Sequence, residues 1–394
     1  MNVDRIRADF PPVGGATAYL QTGTAGPMPW PVVLKYQEML ADYQRRGPAY
    51  PGAGETIHVK AAECRERLAS FLGARRGEIA LVESTSAGIN AGLLSVAWEP
   101  GDEVITTDIE HMAVTTAVHY LRSRYWVKPV VVGSRGGTVT AAQIEEAITP
   151  RTKAVCLSHV SYCTGGRLPI EAIGRLLASR RAILVVDGAQ AAGSVEVDLS
   201  ETACHFYAFP GYKWLLGPEG TAGLYVRADM AKVSLVAQAG FRGVTITGPD
   251  GAYELAGDAR RFELSTTSWL NFAVLSDALE YLESAGGGLS GIVNHDSSLA
   301  STLKRRLASI PGVEVLTPEA AAESGALVAF TVAGLRVPEK LTAAVKWLLD
   351  EKNVLIRAVR QTMALRASVH FYNTLEEVER LVAAVRELAA ESRA

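Results

Sequence analysis

Cysteine is scarce in this 394-residue chain. Its four cysteines, Cys64, Cys156, Cys163 and Cys204, show no CxxC spacing. That excludes a disulfide scaffold and a zinc ribbon, and it makes free thiols in a cytoplasmic protein, with no bound metal, the expectation. Long apolar runs are missing too. Met1-Asn2-Val3-Asp4-Arg5-Ile6-Arg7 mixes charges with apolar side chains where a secretory signal would build a hydrophobic stretch, and no run approaches bilayer-spanning length, so no membrane association is expected. Charge of one sign is also lacking. The 39 Lys and Arg residues nearly balance 42 Asp and Glu, a net −3, so there is no global basic field for nucleic acid. No internal repeat or low-complexity segment occurs. What is present, 48% hydrophobic and 21% charged residues, is the composition of a globular chain long enough to build two cores.

The stretch around residue 187 organises the rest. Ala182-Ile183-Leu184-Val185-Val186 is a short apolar run rich in β-branched residues, which predicts a strand buried on both faces of a parallel sheet. It ends in Asp187-Gly188-Ala189-Gln190, placing a carboxylate at the C-terminal end of a strand, where ligands sit in open α/β sheets. Phe206-Tyr207-Ala208-Phe209-Pro210-Gly211-Tyr212-Lys213-Trp214 and Gly217-Pro218-Glu219-Gly220 then surround one lysine with aromatics, glycines and prolines. Such surroundings desolvate an amine, lower its pKa and favour covalent chemistry with a carbonyl group. A pyridoxal 5′-phosphate (PLP) enzyme needs such a pair: a lysine to hold the cofactor's aldehyde and a carboxylate to keep its pyridine nitrogen protonated. The two residues alone also admit a plainer account, a strand-end aspartate and an ordinary surface lysine.

Upstream, the spacing predicts helices over 31–46 and 57–72 and a strand over 78–82. Glu83-Ser84-Thr85-Ser86-Ala87-Gly88-Ile89-Asn90 follows and opens a helix expected to run to about Trp98. Small hydroxyl residues at a strand-to-helix turn suit a phosphate, because free N–H groups and the helix dipole meet there; the same cluster also reads as an N-cap. Strands over 103–107 and 153–157 and a helix over 168–179 complete an alternation that predicts parallel βαβ units. Toward the C-terminus we expect strands over 313–316 and 327–332, helices over 338–349 and from Glu376 to about Ala390, and a loop beginning at Leu355.

Asp187-Gly188-Ala189-Gln190, Tyr207 through Lys213, and Gly217 through Tyr225 together resemble the class V aminotransferase family, which is PLP-dependent and includes the cysteine desulfurases; within it the resemblance is greatest to the cystine and cysteine carbon–sulfur lyases. The resemblance implies an α/β fold of the aspartate aminotransferase type (PLP fold type I). A large PLP-binding domain with a mainly parallel sheet would span 20–268, with an N-terminal arm (1–19) and a smaller α+β C-terminal domain (269–394). It also implies roles. Lys213 holds the cofactor, Asp187 faces its ring nitrogen, and His111, in the pair Glu110-His111, stacks on its ring. Thr85, Ser86 and the Ala87 amide meet its phosphate. Cys163 stands where the family often carries an asparagine contacting the pyridoxal 3′-oxygen; a thiol is a weak donor, which leaves Gln190 for that contact. Pro210 and Tyr212 replace a common hydroxyl residue and a common histidine, so one phosphate contact is lost and Tyr212 takes the histidine's place. Thr266 matches a hydroxyl that reaches the phosphate of a neighbouring subunit, implying a homodimer with shared sites. Arg366 matches the arginine that binds the substrate α-carboxylate, and Arg357 matches a second arginine of the carbon–sulfur lyases.

A cysteine desulfurase needs a nucleophilic cysteine before the carboxylate-binding arginine. Arg357-Ala358-Val359-Arg360-Gln361-Thr362-Met363-Ala364 has none. The expectation is therefore β-elimination from cysteine, cystine or a cysteine S-conjugate. Transamination, epimerisation and decarboxylating deamination use the same core and stand as alternatives, and a degenerate binding module would be favoured had Lys213 or Asp187 been absent.

Overall fold

Seven short strands form the sheet that carries the site: β1 (Ile79–Val82), β2 (Glu103–Thr107), β3 (Lys128–Val132), β4 (Thr152–Ser158), β5 (Ile183–Asp187), β6 (Phe206–Pro210) and β7 (Ala222–Val226). The computed structural model from which they are described covers residues 1–391. The order is β1-β7-β6-β5-β4-β2-β3. Strands β2 to β6 pair in parallel, and β7 runs antiparallel to both β6 and β1. All but β3 are buried nearly throughout; β3 lies at an edge and exposes Lys128 and Val131. A strand covered on both faces needs apolar residues at every position, which is why these segments read as continuous apolar runs.

Successive side chains fall on opposite faces. Leu81, Ile105, Val155, Leu157, Leu184 and Val186 enter one core, while Ala80, Val104, Ala154, Cys156 and Val185 enter the other. Helices α1 (Trp30–Arg46) and α2 (Glu55–Phe71) precede the sheet, and α3 (Thr85–Leu93) and α4 (Met112–Tyr125) cover its second face through Ile89, Leu93, Val114, Val118 and Leu121. Helix α3 ends at Leu93 rather than near Trp98, because the Trp98 indole folds back and donates to the Leu93 carbonyl at 2.7 Å. Helix α5 (Ile170–Leu177) covers the first face with Ile173 and Leu177.

Helix α6 (Trp269–Ser284) buries Phe272, Leu275 and Leu279 in that same first core. Helix α6 thus packs with the first core although it follows residue 268, and we propose the glycine-rich Gly286-Gly287-Gly288, which also reads in the sequence as a connection into the smaller domain, as the change of body. Beyond it, α7 (Gly288–Ala308), α8 (Pro338–Lys352) and α9 (Leu375–Glu391) share a second core with a four-stranded antiparallel sheet of β8 (Val313–Val315), β9 (Leu327–Val332), β10 (Arg357–Val359) and β11 (Ala364–Ser368), ordered β8-β9-β11-β10. The segment expected to be a loop from Leu355 is thus partly strand. The arm joins this body, with Ala18–Tyr19 pairing in parallel with Val354–Leu355. Trp214, 1% exposed, packs into the second core although it follows the central strands. Lys213 consequently stands where the two bodies meet. Among the described residues no helix is long and apolar enough to cross a membrane, and no group of three His, Cys, Asp or Glu is placed to hold a metal.

Candidate active site

Asp187 ends β5, in register with Ser158 of β4 and Ala208 of β6. It is 3% exposed, and its Oδ1 accepts from the Ala189 amide at 2.8 Å. Burial pushes its pKa up, against that amide bond and the nearby Lys213. Gly188 is required next to it, since a Cβ there would run into the Tyr207 ring. Lys213 is 9% exposed. Burial lowers its ammonium from 10.5 to about 8; Asp187 opposes the drop, while Arg366 and Arg357 add to it. The N-terminal loop holds the lysine's backbone, with the Gly26 amide donating to the Tyr212 carbonyl at 2.9 Å so closely that a Cβ on Gly26 would strike the Lys213 carbonyl. Tyr212 itself is half-buried, its ring centre 6.0 Å from Lys213 Nζ.

His111 caps α4, its Nδ1 accepting from the Ala113 amide at 3.1 Å, so the ring carries its proton on Nε2. Burial, then the charges of Lys213, Arg357 and Arg366, lower its pKa to about 4, and the imidazole is neutral at physiological pH. Glu110, fully buried, accepts from Thr107 Oγ1 (2.6 Å), Ser158 Oγ (2.5 Å) and the Ser158 amide (2.8 Å). Burial still raises its pKa to about 7, with Asp187 contributing in the same direction.

The arginines come together through strand pairing, since Arg357 of β10 stands opposite Arg366 of β11. Both donate to Thr24 Oγ1 at 3.2 Å, and Arg366 also donates to the Tyr162 carbonyl at 3.2 Å. The Tyr162 ring lies 5.1 Å from the Arg366 guanidinium and 5.6 Å from that of Arg357, and it meets His111 edge-on at 4.9 Å. Arg366 is completely buried, its Nε has no partner, and among the described residues no carboxylate pairs with it. Burial and the adjacent Arg357 lower its pKa from 12.5 to about 9. A buried cation without a counter-ion is strongly unfavourable, so this constellation is built for an anion that arrives from outside.

Other expected residues are placed less directly. Ser84 N-caps α3 and accepts the Ala87 amide at 3.1 Å, so that amide is engaged within the chain, as an N-cap cluster requires. Thr85 is buried and Ser86 exposed; Ser86, Ala87 and His111 line one cavity of about 710 Å³. Gln190 donates to the Gly23 carbonyl (2.8 Å) and accepts from Trp214 Nε1 (3.0 Å), leaving one amide hydrogen uncommitted. Cys163 is buried with its thiol pushed up to about 12, and its Sγ lies 3.4 Å from Gln361 Oε1. Thr266 is exposed and lines a separate hollow of about 420 Å³ beside His58, Arg242 and Trp269, apart from the Lys213 cluster of its own chain. Tyr162 and Gln361 are site residues that sequence reasoning did not single out; Thr24 lies in the glycine- and proline-rich loop Tyr19–Pro29, which the family resemblance already brings toward the substrate.

The model of the aminotransferase class-V family matches residues 18–381. The chain belongs to that family. Its curated relatives include a probable cysteine desulfurase of Methanothermobacter thermautotrophicus, 29% identical over 99% of this chain and 98% of the relative, and the isopenicillin N epimerase of Amycolatopsis lactamdurans, 30% identical over 95% and 96%. Among solved structures, C-DES, described as a cystine C–S lyase, is similar. A lysine-to-alanine mutant of it with glycine covalently linked to its PLP cofactor superposes with a TM-score of 0.88 at 28% identity, covering 97% of this chain and 99% of C-DES. The complex of C-DES with its reaction product, cysteine persulfide, gives 0.86 at 27%.

The residues present fit such a cofactor. A buried strand-end carboxylate, a buried amine of lowered pKa and a neutral imidazole converge with an arginine whose Nε is orphaned. This donor set complements a protonated pyridine, an aldehyde and a carboxylate-bearing amino acid.

Proposed function

We propose that this protein is a PLP-dependent lyase that cleaves the carbon–sulfur bond of cysteine, cystine or a cysteine S-conjugate by β-elimination. When bound, the cofactor supplies an electron sink that weakens the bonds at the substrate Cα. Lys213 would hold the cofactor's aldehyde, and its amine, near 8, is suited to take the substrate Cα proton close to neutrality. Asp187 keeps the ring nitrogen protonated. His111, neutral, offers a flat face to the ring. Arg366, with Arg357, would receive the α-carboxylate through a bidentate fork and so orient the substrate Cα. Thr85, Ser86 and Tyr212 would hold the phosphate end, the Ala87 amide being engaged by Ser84, and Gln190 would give its remaining amide hydrogen to the 3′-oxygen. Thr266 of the partner subunit completes the phosphate site, since this chain's own Thr266 faces elsewhere. The enzyme is thus a homodimer with shared sites, working in the cytoplasm, where its four buried thiols stay reduced.

The observation that carries elimination over persulfide transfer is the segment from Arg357 to Ala364. It adjoins the carboxylate arginine and has no cysteine. Cys163, which touches that segment at Gln361, holds a buried thiol near 12 and is no thiolate at neutral pH. The test is to incubate the yellow holoenzyme with cysteine, cystine and S-conjugates. Stoichiometric pyruvate, with elimination persisting in a Cys163→Ser variant, is expected. Formation of alanine with persulfide trapped on Cys163 would overturn the assignment.

A further inference from the structure

A second cavity, of about 1010 Å³, opens between the two bodies. Its walls come from Asp108, Ile109 and the Ser134–Gly137 turn on one side and from α7 and β8 on the other, and Gln361 and Thr362 also line it. Gln361 spans the partition to the active site, its Nε2 donating to the Glu110 carbonyl at 3.0 Å and its Oε1 lying against Cys163 Sγ. Glu110 immediately precedes His111, and Cys163 immediately follows Tyr162, the residue that holds Arg366. The Gln361 side chain, itself exposed, therefore reaches from this cleft to the two residues that adjoin His111 and Tyr162 at the end of the site where the substrate carboxylate would be anchored. The phosphate end opens instead on the other cavity, lined by Ser86 and Ala87. Thr362 Oγ1 is buried at the same boundary without a hydrogen-bond partner.

We propose that this cleft receives the sulfur substituent of the substrate, that Gln361 is its gate, and that the preferred substrates are cysteine S-conjugates bearing a bulky organic group. The inference rests on the carbon–sulfur lyase reading above. The volume argues for bulk. Cavities of roughly 300–1,000 Å³ hold drug-sized ligands, whereas the thiol of cysteine would leave almost all of this one empty. The lining is mixed, with Asp108, Arg305 and Glu319 beside Lys304 and Glu314. Lys304 Nζ is consumed by the carbonyls of Pro318 and Glu319 and by Ser324 Oγ, and Glu314 is paired with Arg336, so neither selects a charge. Val313, Val315, Leu316 and Pro318 offer an apolar wall. After elimination the departing thiol lies in the cleft, open to solvent, while the amino-acid remainder stays at Arg366.

The experiment compares S-methylcysteine with S-phenylcysteine as substrates of the holoenzyme, followed by pyruvate and free thiol. S-Phenylcysteine is expected to be preferred by roughly tenfold or more in kcat/KM. Thr362→Trp fills the cleft beside the gate, and Ala308→Trp, on the exposed face of α7, fills it from the opposite wall. Each is expected to lower kcat/KM for S-phenylcysteine by about tenfold through KM while leaving S-methylcysteine unchanged. Gln361→Ala is expected to shift the preference further toward the phenyl substrate. Equal losses on both substrates in both tryptophan variants, or no preference in the parent, would overturn the cleft assignment while the lyase reading stands. Absence of pyruvate from every thiol and thioether would overturn both.

Discussion

Three arginines are buried among the described residues, Arg65, Arg261 and Arg366, and the protein treats the first and the last oppositely. Arg261 stands between them: it donates to the Ala231 carbonyl, has no carboxylate partner among the described residues and keeps an orphaned Nε. Arg65, on α2, donates to Glu263 Oε1 at 2.5 Å and to the Ile79 carbonyl, and Glu263 also accepts the Leu81 amide at 2.9 Å. Every strong group there has a partner within the chain, and the bridge locks α2 and the segment before α6 onto the sheet edge. Arg366 is buried more deeply, yet it meets only a carbonyl and a hydroxyl, faces a second arginine and keeps an orphaned Nε. A buried charge satisfied internally serves the fold. One held without a counter-ion costs the fold stability and persists where a ligand completes it. The same contrast separates Asp187, whose pKa burial pushes up, from Asp102, whose pKa is held down by Lys153 and Arg151 despite burial.

The most severe way to break the unpaired cluster is Lys213→Ala. We expect turnover to fall by about four orders of magnitude or more, because the proton-transfer group is removed. Borohydride should no longer fix cofactor to the protein, and mass spectrometry of the reduced protein checks this. Next is Arg65→Met, which leaves Glu263 charged and buried. We expect a loss of about 3–5 kcal/mol in unfolding free energy by urea denaturation, with kcat/KM of the folded fraction unchanged. Arg366→Ala should do the reverse. Catalytic efficiency toward an α-amino acid should fall by roughly two to three orders of magnitude, with cofactor retained and unfolding free energy equal to or above that of the parent. If Arg366→Ala destabilised the substrate-free protein as Arg65→Met does, the contrast would collapse and Arg366 would be a structural residue.

The half of this contrast that depends on chain order was legible in the sequence. The apolar run ending in Asp187, the lysine among aromatics and the hydroxyl-rich turn after β1 are local patterns, and each lies where the pattern puts it. The partnerships were not legible. Tyr162 joins His111 to Arg366 and Arg357 because a loop after β4 packs against a β10–β11 pair some 200 residues later, and no local signal encodes that approach. The Ala87 amide looked free because an N-cap and an anion site have the same composition; only the Ser84 side-chain rotamer decides between them. Helix α6 was divided from the large body by its position after the last motif, whereas its Phe272, Leu275 and Leu279 face the first core, and burial is a tertiary property.

The smallest expected effect is also the most discriminating, because it reads the charges of the cluster directly. Lys213 must be unprotonated to take the Cα proton, and burial holds its amine at about 8, with Arg366 and Arg357 pressing it down and Asp187 pulling it up. The rate at saturating substrate should therefore climb about tenfold per pH unit below that value and level off above it. A neighbouring cation disfavours a charged ammonium, so removing one must raise the lysine's pKa and move the rising limb to higher pH. Arg366→Ala should move it furthest, Arg357→Gln less, and Arg65→Met not at all, since Arg65 is not among the charges acting on Lys213. The measurement is kcat against pH for the three variants, with substrate raised to saturation in each. A limb that moved to lower pH in Arg366→Ala, or one that moved equally in Arg65→Met, would show that the arginines do not act on the lysine through their charge.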